Sequence, residues 1–394
     1  MSEVSARVFA DLQLPLWEGI LEQAEEKVVL PFVLEAGENG LLVQRHNDLV
    51  SQRIQNAYAN SAYNFITKPA GYTQWANRML EPKREFIESY SGGLDNKQIL
   101  EIGAGSTYLG EYLLDRYEIE RYTIMDPSVR ETSQRIDIRR DYFSAQTQFD
   151  TNIDLVISLS CLEHVPNPIT FLRDIHQLLA PNKGVAVVTF PDVTQQLRRG
   201  DLNMMLHEHV SYFTMPVVEH LFSRLGFEIN QIQVENDLLH ISVAALESVQ
   251  TSEMQIQSNI NVRDEIVSLS HELAMSYVSQ IQETTTELRK TIQQARDNHQ
   301  KVGFHGACNG LNILLHLIGL GSATNLFIFD SDTAKTGKYI SCFGRPIQHT
   351  SDPEYKTMDI VYISAMSFYD EIKNDLDSRA ELSNTRRLPL FPLV

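Results

Sequence analysis

Cysteine is scarce in this sequence, and long apolar runs are absent. Only Cys161, Cys308 and Cys342 occur among 394 residues, and no two of them form a Cys-x-x-Cys pair. That spacing excludes a disulfide framework and a four-cysteine zinc site, and it fits a location in the reducing cytoplasm. No apolar run approaches the roughly 18 residues of a membrane span. Residues 1–13 lack the cationic start and apolar core of a signal peptide, so we expect no membrane association.

Positive charge is in deficit as well. The chain has 33 Lys and Arg residues against 51 Asp and Glu residues, which gives a formal net charge of −18. Proteins that bind nucleic acid or anionic membranes need locally basic surfaces, so we expect neither kind of partner. Hydrophobic residues make up 43% and charged residues 21%, proportions that support buried cores. The length predicts two domains with a small appendage, and the sequence does not indicate an oligomeric state.

The apolar pattern divides the chain into four parts. In the first, apolar runs at 28–34 and 41–44 flank a glycine-containing segment and predict a hairpin, followed by partly helical residues. The second alternates strand-like and helix-like segments, which predicts an α/β fold with a Rossmann-like, doubly wound sheet. The third has no proline or glycine over 262–300 and predicts one long connecting helix, and the fourth predicts a second α/β domain. The expected parts are 1–90, 91–250, 251–300 and 301–394.

Individual strands and helices can be placed from the same pattern. In the second part the predicted strands are 98–102, 121–125, 153–159, 184–190, 227–234 and 239–245, with helices over 107–117 and 168–180. In the fourth part they are 301–305, 325–332 and 359–365, with a helix after a glycine-bracketed turn at 306–310.

A glycine loop follows the first predicted strand of the second part. Gly103 and Gly105 would let a ligand approach the backbone, and the helix that follows offers unpaired N–H groups. Asp126 ends the next strand, where a carboxylate accepts hydrogen bonds from both ribose hydroxyls of a nucleoside. Glu101 would repel a pyrophosphate but suits a cationic or amino-bearing ligand. Tyr108 stands where a dinucleotide fingerprint has its third glycine, so a nicotinamide cofactor is disfavoured.

This pattern resembles the first motif, hh(D/E)hGxGxG, of class I S-adenosylmethionine (SAM) methyltransferases. Thr107 stands where the third glycine is usual. Asp141-Tyr142-Phe143 looks like the adenine-side segment of that family, and 154–166 looks like its fourth-strand motif. The resemblance implies SAM as the cofactor, whereas the glycines alone would also fit a plain strand–helix turn. The implied cofactor-binding residues are Glu101, Gly103, Gly105, Thr107, Asp126, Asp141, Tyr142 and Ser158.

The tripeptide His207-Glu208-His209 is the second feature that carries chemistry. A metal site is disfavoured because the histidines lie two residues apart rather than four, and no third ligand is near in sequence. On an extended chain, both histidines would share one face and Glu208 would oppose them. Acid–base chemistry fits better, because histidine titrates near neutral pH and an adjacent glutamate can orient it. A solvated surface tripeptide before a helix is the alternative.

The order of features over nearly the whole chain resembles the nucleotide-sugar C-methyltransferases. These features are HEHVSYFT after the fifth strand, a long helix, and a second α/β domain that begins KVGFHGACNG. That family methylates the carbon next to the ketone of a nucleotide-linked 4-keto-deoxysugar. The resemblance implies that His209 is the proposed base beside Glu208, and that His164 lies near another active-site histidine. The expected catalytic residues are His209, Glu208, His207 and His164.

Two departures from that family stand out. Leu206 replaces a family tyrosine that belongs to the active site, which puts the usual substrate or chemistry in doubt. The family also begins with a four-cysteine zinc module. Here residues 31–44 (PFVLEAGENGLLVQ) resemble the last hairpin of that module without its cysteines, so we expect no bound metal.

The turn at 306–310 allows two interpretations. It could cradle a substrate phosphate at a helix N-terminus, or it could be the turn that any α/β unit needs. Asp330 ends the next strand and could bind a ribose. Aromatic residues at 58–75 could line a substrate cleft, although such residues more often belong to a core, which is the preferred interpretation. The candidate substrate-binding residues are Tyr63, Gly306, Asn309 and Asp330.

These observations predict a SAM-dependent methyltransferase that acts on a small molecule. The expected reaction is C-methylation next to a carbonyl, on a substrate such as a nucleotide-linked sugar, with a histidine as general base. Methylation of oxygen or nitrogen remains open because of Leu206. A non-catalytic SAM- or nucleotide-binding module is the alternative of another class.

Overall fold

The computed structural model describes residues 7–59, 74–235, 237–246 and 253–393, so the candidate Tyr63 lies outside the described residues. The strands are β1 (Val8–Pro15), β2 (Val29–Ala36), β3 (Leu42–Gln44), β4 (Gln98–Ile102), β5 (Arg121–Met125), β6 (Ile136–Arg139), β7 (Leu155–Leu159), β8 (Val185–Pro191), β9 (Ser211–Tyr212), β10 (Phe227–Glu235), β11 (Leu238–Ala245), β12 (Val302–His305), β13 (Leu326–Asp330), β14 (Gln348–His349), β15 (Ile360–Ile363) and β16 (Arg386–Pro389). The helices are α1 (Asp48–Ala59), α2 (Gln74–Ser91), α3 (Tyr108–Leu114), α4 (Pro168–Leu179), α5 (Thr194–Arg199), α6 (Met215–Arg224), α7 (Glu253–Asp297), α8 (Asn309–Ile318) and α9 (Tyr369–Ser378).

The central sheet has the strand order β10-β11-β8-β7-β4-β5-β6. Strands β4 to β8 are parallel, and β11 is antiparallel to both of its neighbours. The chain leaves β4 toward β5 and β6 and later returns to β7 on the other side, so the winding reverses between β4 and β7. Ligands of open α/β sheets bind at such a reversal, beyond the carboxyl ends of the strands. The predicted doubly wound sheet is confirmed, and the glycine loop after β4 lies at the reversal.

The N-terminal sheet has the order β1-β2-β3-β9 and is antiparallel. Strands β2 and β3 form the predicted hairpin, in which Asn39 and Gly40 take positive φ angles of 56° and 81°. Strand β1 was not expected, because its apolar residues alternate over too short a stretch. Strand β9 follows the HEH tripeptide directly, so the N-terminal part of the chain pairs with the segment that carries the candidate base.

The C-terminal sheet has the order β14-β13-β12-β15-β16 and is parallel throughout. It confirms the expected second α/β fold. The predicted long helix is α7, with 45 residues. Buried side chains of α7, among them Tyr277 and Ile292, belong to one apolar core. The same core contains Leu14, Phe32 and Leu42 of the N-terminal sheet and Phe304 of the C-terminal sheet. The N-terminal and C-terminal sheets therefore share a core through this helix.

Candidate active site

The glycine loop after β4 is closed by a cysteine from the neighbouring strand end. Gly103 and Gly105 have φ angles of 73° and 65°, the left-handed region that favours glycine. A Cβ on Gly103 would lie 2.4 Å from Cys161 Sγ and 2.7 Å from Cys161 Cβ. Any side chain at this position would force the two strand ends apart, so the close approach requires glycine.

Asp126 is held against this loop by three hydrogen bonds. The Gly105 N–H donates to Asp126 Oδ2 at 2.7 Å, and the backbone N–H and hydroxyl of Ser128 donate to Oδ1 at 2.6 and 2.7 Å. A carboxylate has about four acceptor positions, so it retains capacity for further donors. The side chain is thus fixed at the end of β5, beside the loop, where the ribose of a nucleoside would place its hydroxyls.

Glu101 adds a buried carboxyl next to the loop. Tyr122 Oη donates to Glu101 Oε2 at 2.7 Å. Burial raises the pKa of Glu101 to about 7, and Asp126 acts in the same direction. Lys83 on α2 is close enough to stabilise the charged form of Glu101, while burial lowers the pKa of Lys83 itself. A cationic ligand would favour the ionised carboxylate, whereas a pyrophosphate would oppose it.

The other expected cofactor residues lie around this loop. Thr107 directly precedes α3, and Ser158 is fully buried in β7. Asp141 and Tyr142 follow β6 on an exposed loop, where Tyr142 is 78% exposed. Because the Asp126 N–H donates to the carbonyl oxygen of Arg139 in β6, this exposed loop starts close to Asp126.

One short segment connects the glycine loop to the histidines. Ser160 directly follows β7 and has a φ angle of 52°, which turns the chain sharply. Cys161 then covers Gly103, and the next turn carries Glu163 and His164. The cofactor loop and the candidate acid–base groups therefore meet within five residues of one strand end.

His164 and His209 lie together at this place. Their ring centroids are 4.9 Å apart, with an interplanar angle of 73°. His164 Nδ1 lies 3.0 Å from the carbonyl oxygen of Glu208 and must donate to it, so Nε2 carries the lone pair. That nitrogen lies 3.8 Å from Glu163 Oε1. The N–H of Val210 donates to the Glu163 carbonyl oxygen at 2.7 Å, which ties the two segments together.

Burial keeps these groups uncharged at neutral pH. It lowers the pKa of His164 to about 4 and that of His209 well below its usual range. It raises the pKa of Glu163 to about 8, and the charge of Glu208 acts in the same direction. Among the described residues, no hydrogen-bond partner reaches the His209 ring. His209 is therefore a neutral imidazole.

The same cluster could offer ligand atoms to a metal ion. Glu163, His164 and His209 each have one such atom within 4.8 Å of the others. The tripeptide spacing did not suggest this grouping, because Glu163 and His164 come from the β7 segment. Metal ligands must be deprotonated, and the raised pKa of Glu163 disfavours its ionised form at neutral pH. The protonation states of these three groups therefore favour acid–base chemistry over metal binding.

The tripeptide is not extended, so its two histidines do not share one face. Residues 207–208 form a turn, and the two histidines lie in different surroundings. His207 packs edge-on against Phe32, with ring centroids 5.7 Å apart, and its Nε2 lies 3.4 Å from the carbonyl oxygen of Leu30. His207 thus belongs to the core of the N-terminal sheet. Glu208 contributes its backbone carbonyl, which orients His164.

The C-terminal glycine turn contacts protein groups from the segment before the tripeptide. The Gly310 N–H donates to Asn203 Oδ1 at 2.8 Å, and a Cβ on Gly310 would lie 2.7 Å from Asn203 Nδ2. Asn309 Nδ2 donates to the carbonyl oxygen of Met205 at 3.0 Å. A Cβ on Gly306 would meet Ala365 at 2.8 Å. These contacts fill much of the space that a phosphate would need, and they favour the turn as a joint between segments.

Asp330 repeats the arrangement of Asp126 with one difference. The Ala307 N–H donates to Asp330 Oδ2 at 2.9 Å, as the Gly105 N–H does to Asp126. Lys335 Nζ also donates to Asp330 Oδ2, at 2.8 Å. The carboxylate is already paired with a cation, so a ribose there would compete with Lys335.

Comparison with known families supports two successive domains. Residues 72–232 match the model of a methyltransferase domain, and residues 240–385 match the model of a C-methyltransferase C-terminal domain. These matches confirm the resemblance drawn from the sequence and, with it, SAM as the cofactor of the first domain. The second match begins before α7, so the long helix lies within the region similar to the C-terminal domain.

Individual relatives are distant. C-methyltransferase NovU of Streptomyces niveus is 21% identical over 225 residues, which cover 55% of this chain and 52% of that protein. A ubiquinone biosynthesis O-methyltransferase of Aeromonas salmonicida is 28% identical over 114 residues, 27% of this chain and 48% of that protein. The chain thus spans about half the length of these curated relatives.

The central part of the chain also has solved structural neighbours. One is the 1,6-didemethyltoxoflavin-N1-methyltransferase of Burkholderia thailandensis with S-adenosylhomocysteine, at 14% identity and a TM-score of 0.39, covering 55% of this chain and 96% of that one.

Within the described part of the chain, no helix combines the length and apolarity that crossing a bilayer requires.

Proposed function

We propose that this chain, in which a methyltransferase domain is followed by a C-methyltransferase C-terminal domain, methylates a carbon atom next to a carbonyl group in a small molecule. The substrate class we propose is a nucleotide-linked keto-sugar, and the compartment is the cytoplasm. The observation that carries the reaction type is the buried, uncharged His209, which lies against His164 beside the cofactor loop. C-methylation requires a base that removes a proton from carbon, whereas methylation of oxygen or nitrogen does not.

The cofactor site is proposed from the groups around the glycine loop. Gly103 and Gly105 would allow the close approach of the methionine part, and Asp126 would accept the ribose hydroxyls. Glu101 would favour the positive charge of the cofactor. When bound, SAM supplies an electrophilic methyl group on its sulfonium centre.

His209 is the proposed general base. It accepts a proton from the carbon next to the carbonyl, and the resulting enolate is the nucleophile. The imidazolium so formed is buried and needs a nearby negative charge. Glu163 is the acidic group of this cluster. Because its raised pKa keeps it mostly protonated in the free protein, it would have to release its proton to solvent as the imidazolium forms, and its carboxylate would then balance that charge. His164, fixed by the Glu208 carbonyl, keeps the His209 ring in place.

Solvent exchange tests the base directly. The protein is incubated in heavy water with a nucleoside diphosphate 4-keto-sugar and without SAM, and the acceptor is followed by NMR. We expect one hydrogen next to the ketone to exchange. His209→Asn should lower that rate by about 10²–10⁴, the usual contribution of a general base.

The adjacent histidine provides the matched control. His207→Asn makes the same substitution at the other histidine of the tripeptide, which lies in the core of the N-terminal sheet. This variant should retain exchange. Both variants should bind SAM, because neither residue contacts the cofactor loop in the described structure. Exchange that survives in His209→Asn would contradict the assignment of the base.

Leu206 supports a second candidate, methylation of oxygen or nitrogen. It stands where the related sugar C-methyltransferases have a tyrosine, and its carbonyl accepts the His209 N–H at 3.0 Å, so it lies at the site. A product with a new O- or N-methyl group and no solvent exchange would favour this candidate. Leu206→Tyr tests the converse, since a gain of activity on 4-keto-sugars would indicate a pocket altered from that chemistry. No conversion of SAM to S-adenosylhomocysteine with any acceptor would indicate a binding module.

A further inference from the structure

The N-terminal sheet contacts the candidate active site through one side chain. We propose that Gln44 is a positioning residue whose amide holds the turn that carries His209 and thereby sets where the base lies. The inference rests on the proposed function of His209. It gives the N-terminal hairpin a part in catalysis.

The Gln44 amide makes two hydrogen bonds to the turn. Its Nε2 donates to the carbonyl oxygen of His207 at 3.1 Å and to that of His209 at 3.2 Å. The carbonyl oxygen between them, that of Glu208, accepts from His164 Nδ1 at 3.0 Å. Three consecutive carbonyl oxygens are thus held by two side chains from distant parts of the chain, and Gln44 is only 3% exposed.

The turn depends on these donors because of its backbone conformation. Residues 207–208 belong to neither a helix nor a strand, so regular secondary structure supplies no N–H groups to their carbonyls. A buried carbonyl that loses its donor costs free energy, and the backbone would rotate to find another partner. Such a rotation would move the His209 ring away from His164.

The main chain of Gln44 is fixed to the same segment. It is the last residue of β3, and its N–H donates to the carbonyl oxygen of Val210 at 2.8 Å. The preceding residue, Val43, pairs with Ser211 of β9. Because backbone and side chain both bind residues 207–211, the amide has a defined position and is suited to locating the turn.

The surroundings of the amide distinguish glutamine from glutamate. His46 Nε2 lies 2.8 Å from Gln44 Nε2, so the amide nitrogen faces two carbonyl oxygens and one ring nitrogen. A carboxylate of the same size would place an oxygen against both carbonyl oxygens, whereas the His46 ring could donate to it in its other tautomer. Gln44→Glu therefore removes the donors while it preserves the volume of the side chain.

The experiment compares Gln44→Glu with Gln13→Glu, the same chemical change at an exposed position of β1 in the same sheet. Solvent exchange of the keto-sugar, kcat, KM and SAM affinity are measured for both. We expect Gln44→Glu to lower exchange and kcat by about 10²-fold, as a displaced catalytic group does, with SAM affinity unchanged. Gln13→Glu should match the wild type in every measurement.

A pH profile separates positioning from general destabilisation. Protonation of the introduced carboxyl restores an O–H donor, so the exchange rate of Gln44→Glu, relative to wild type, should rise as the pH falls. Gln44→Ala has no group to protonate and should show no such recovery. Wild-type exchange in Gln44→Glu would overturn the proposal, and so would a parallel loss of exchange and SAM binding.

A further measurement keeps this proposal separate from the proposed function. If the wild-type protein exchanges no hydrogen, the base assignment fails by itself. The imidazole N–H resonance of His164 in ¹⁵N-labelled protein then reports the turn, because that proton is bound to the Glu208 carbonyl. A shift in Gln44→Glu but not in Gln13→Glu supports the positioning role, and an unchanged resonance in both overturns it.

Discussion

Asp126 has its geometry set before any ligand arrives. Because a hydrogen bond to a charged group contributes about 1.5–3 kcal/mol, Asp126→Ala should weaken SAM binding roughly tenfold or more. Asp137→Ala is the matched control, since Asp137 lies on the adjacent strand β6 and pairs with Arg139. Calorimetry measures both affinities. Equal affinity in folded Asp126→Ala and wild-type protein would refute the ribose contact.

Glu101 should make cofactor binding depend on pH. Its pKa is raised to about 7, so the carboxyl is mostly protonated below that pH and charged above it. A cationic ligand favours the charged form, and binding below pH 7 must release the proton. SAM affinity should therefore fall as the pH decreases below 7, by at most roughly tenfold per pH unit for one proton. Glu101→Gln should flatten this dependence, and an unchanged slope in that variant would exclude Glu101 as its source.

Residues whose role depends on near neighbours could be predicted from the sequence. The glycines and Asp126 follow from a strand, a turn and a second strand, which are a local pattern. Gln44 could not be predicted, because its partner His209 is 165 residues away. The different surroundings of His207 and His209 depend on a turn that the tripeptide alone does not specify, since histidine and glutamate have no strong turn preference.

At the scale of single elements, the N-terminal hairpin lacks the cysteines of the zinc module that it resembles. Phe32 and Leu34 of β2 and Leu14 of β1 are fully buried in a core shared with α7, which supplies the stabilisation that zinc gives elsewhere. Chelator should therefore leave the thermal unfolding midpoint unchanged, and elemental analysis should find well under one zinc per chain.

Elemental analysis also tests whether the cluster of acid–base groups after β7 holds a metal ion. A stoichiometric metal that is lost in Glu163→Gln would place an ion on Glu163, His164 and His209 and would contradict the acid–base assignment. A metal retained in that variant would point to another site.

At the scale of the whole molecule, buried histidines should make the fold sensitive to acid. Burial lowers the pKa of His164, His207, His240 and His305 to about 4. Between pH 6.5 and 4 the unfolded chain binds protons that the folded chain does not, so stability is lost as the pH falls through this range. Each histidine contributes a slope of at most about 1.4 kcal/mol per pH unit.

Urea unfolding at a series of pH values measures this loss. His240→Gln should reduce the slope, because it removes one of these buried titratable groups. Stability that stays constant from pH 6.5 to 5 would contradict the expected role of the buried histidines. Glu101 and Glu163 act in the opposite direction, since their raised pKa values favour the folded state at lower pH.

The overall architecture was predictable to the extent that it follows from periodicity. Most strands of the central and C-terminal sheets and the long helix follow from apolar spacing, and their order along the chain follows from alternation. Strands β14 and β16 of the C-terminal sheet were not predicted. Short edge elements such as β6, and the pairing of β3 with β9, could not be predicted, because two to four residues carry no periodic pattern. The core that α7 shares with both outer sheets likewise depends on contacts between distant parts of the chain.

The pairing of β3 with β9 also orders the events of folding. It joins segments separated by the whole of strands β4 to β8, and closing so long a loop is slow until the intervening sheet has condensed. The cofactor loop, built from neighbouring strands, needs no such closure. A chain that has folded only its central sheet would therefore hold the groups proposed to bind the methyl donor before the proposed base is fixed, so that reactivity would be acquired last, with the completed fold.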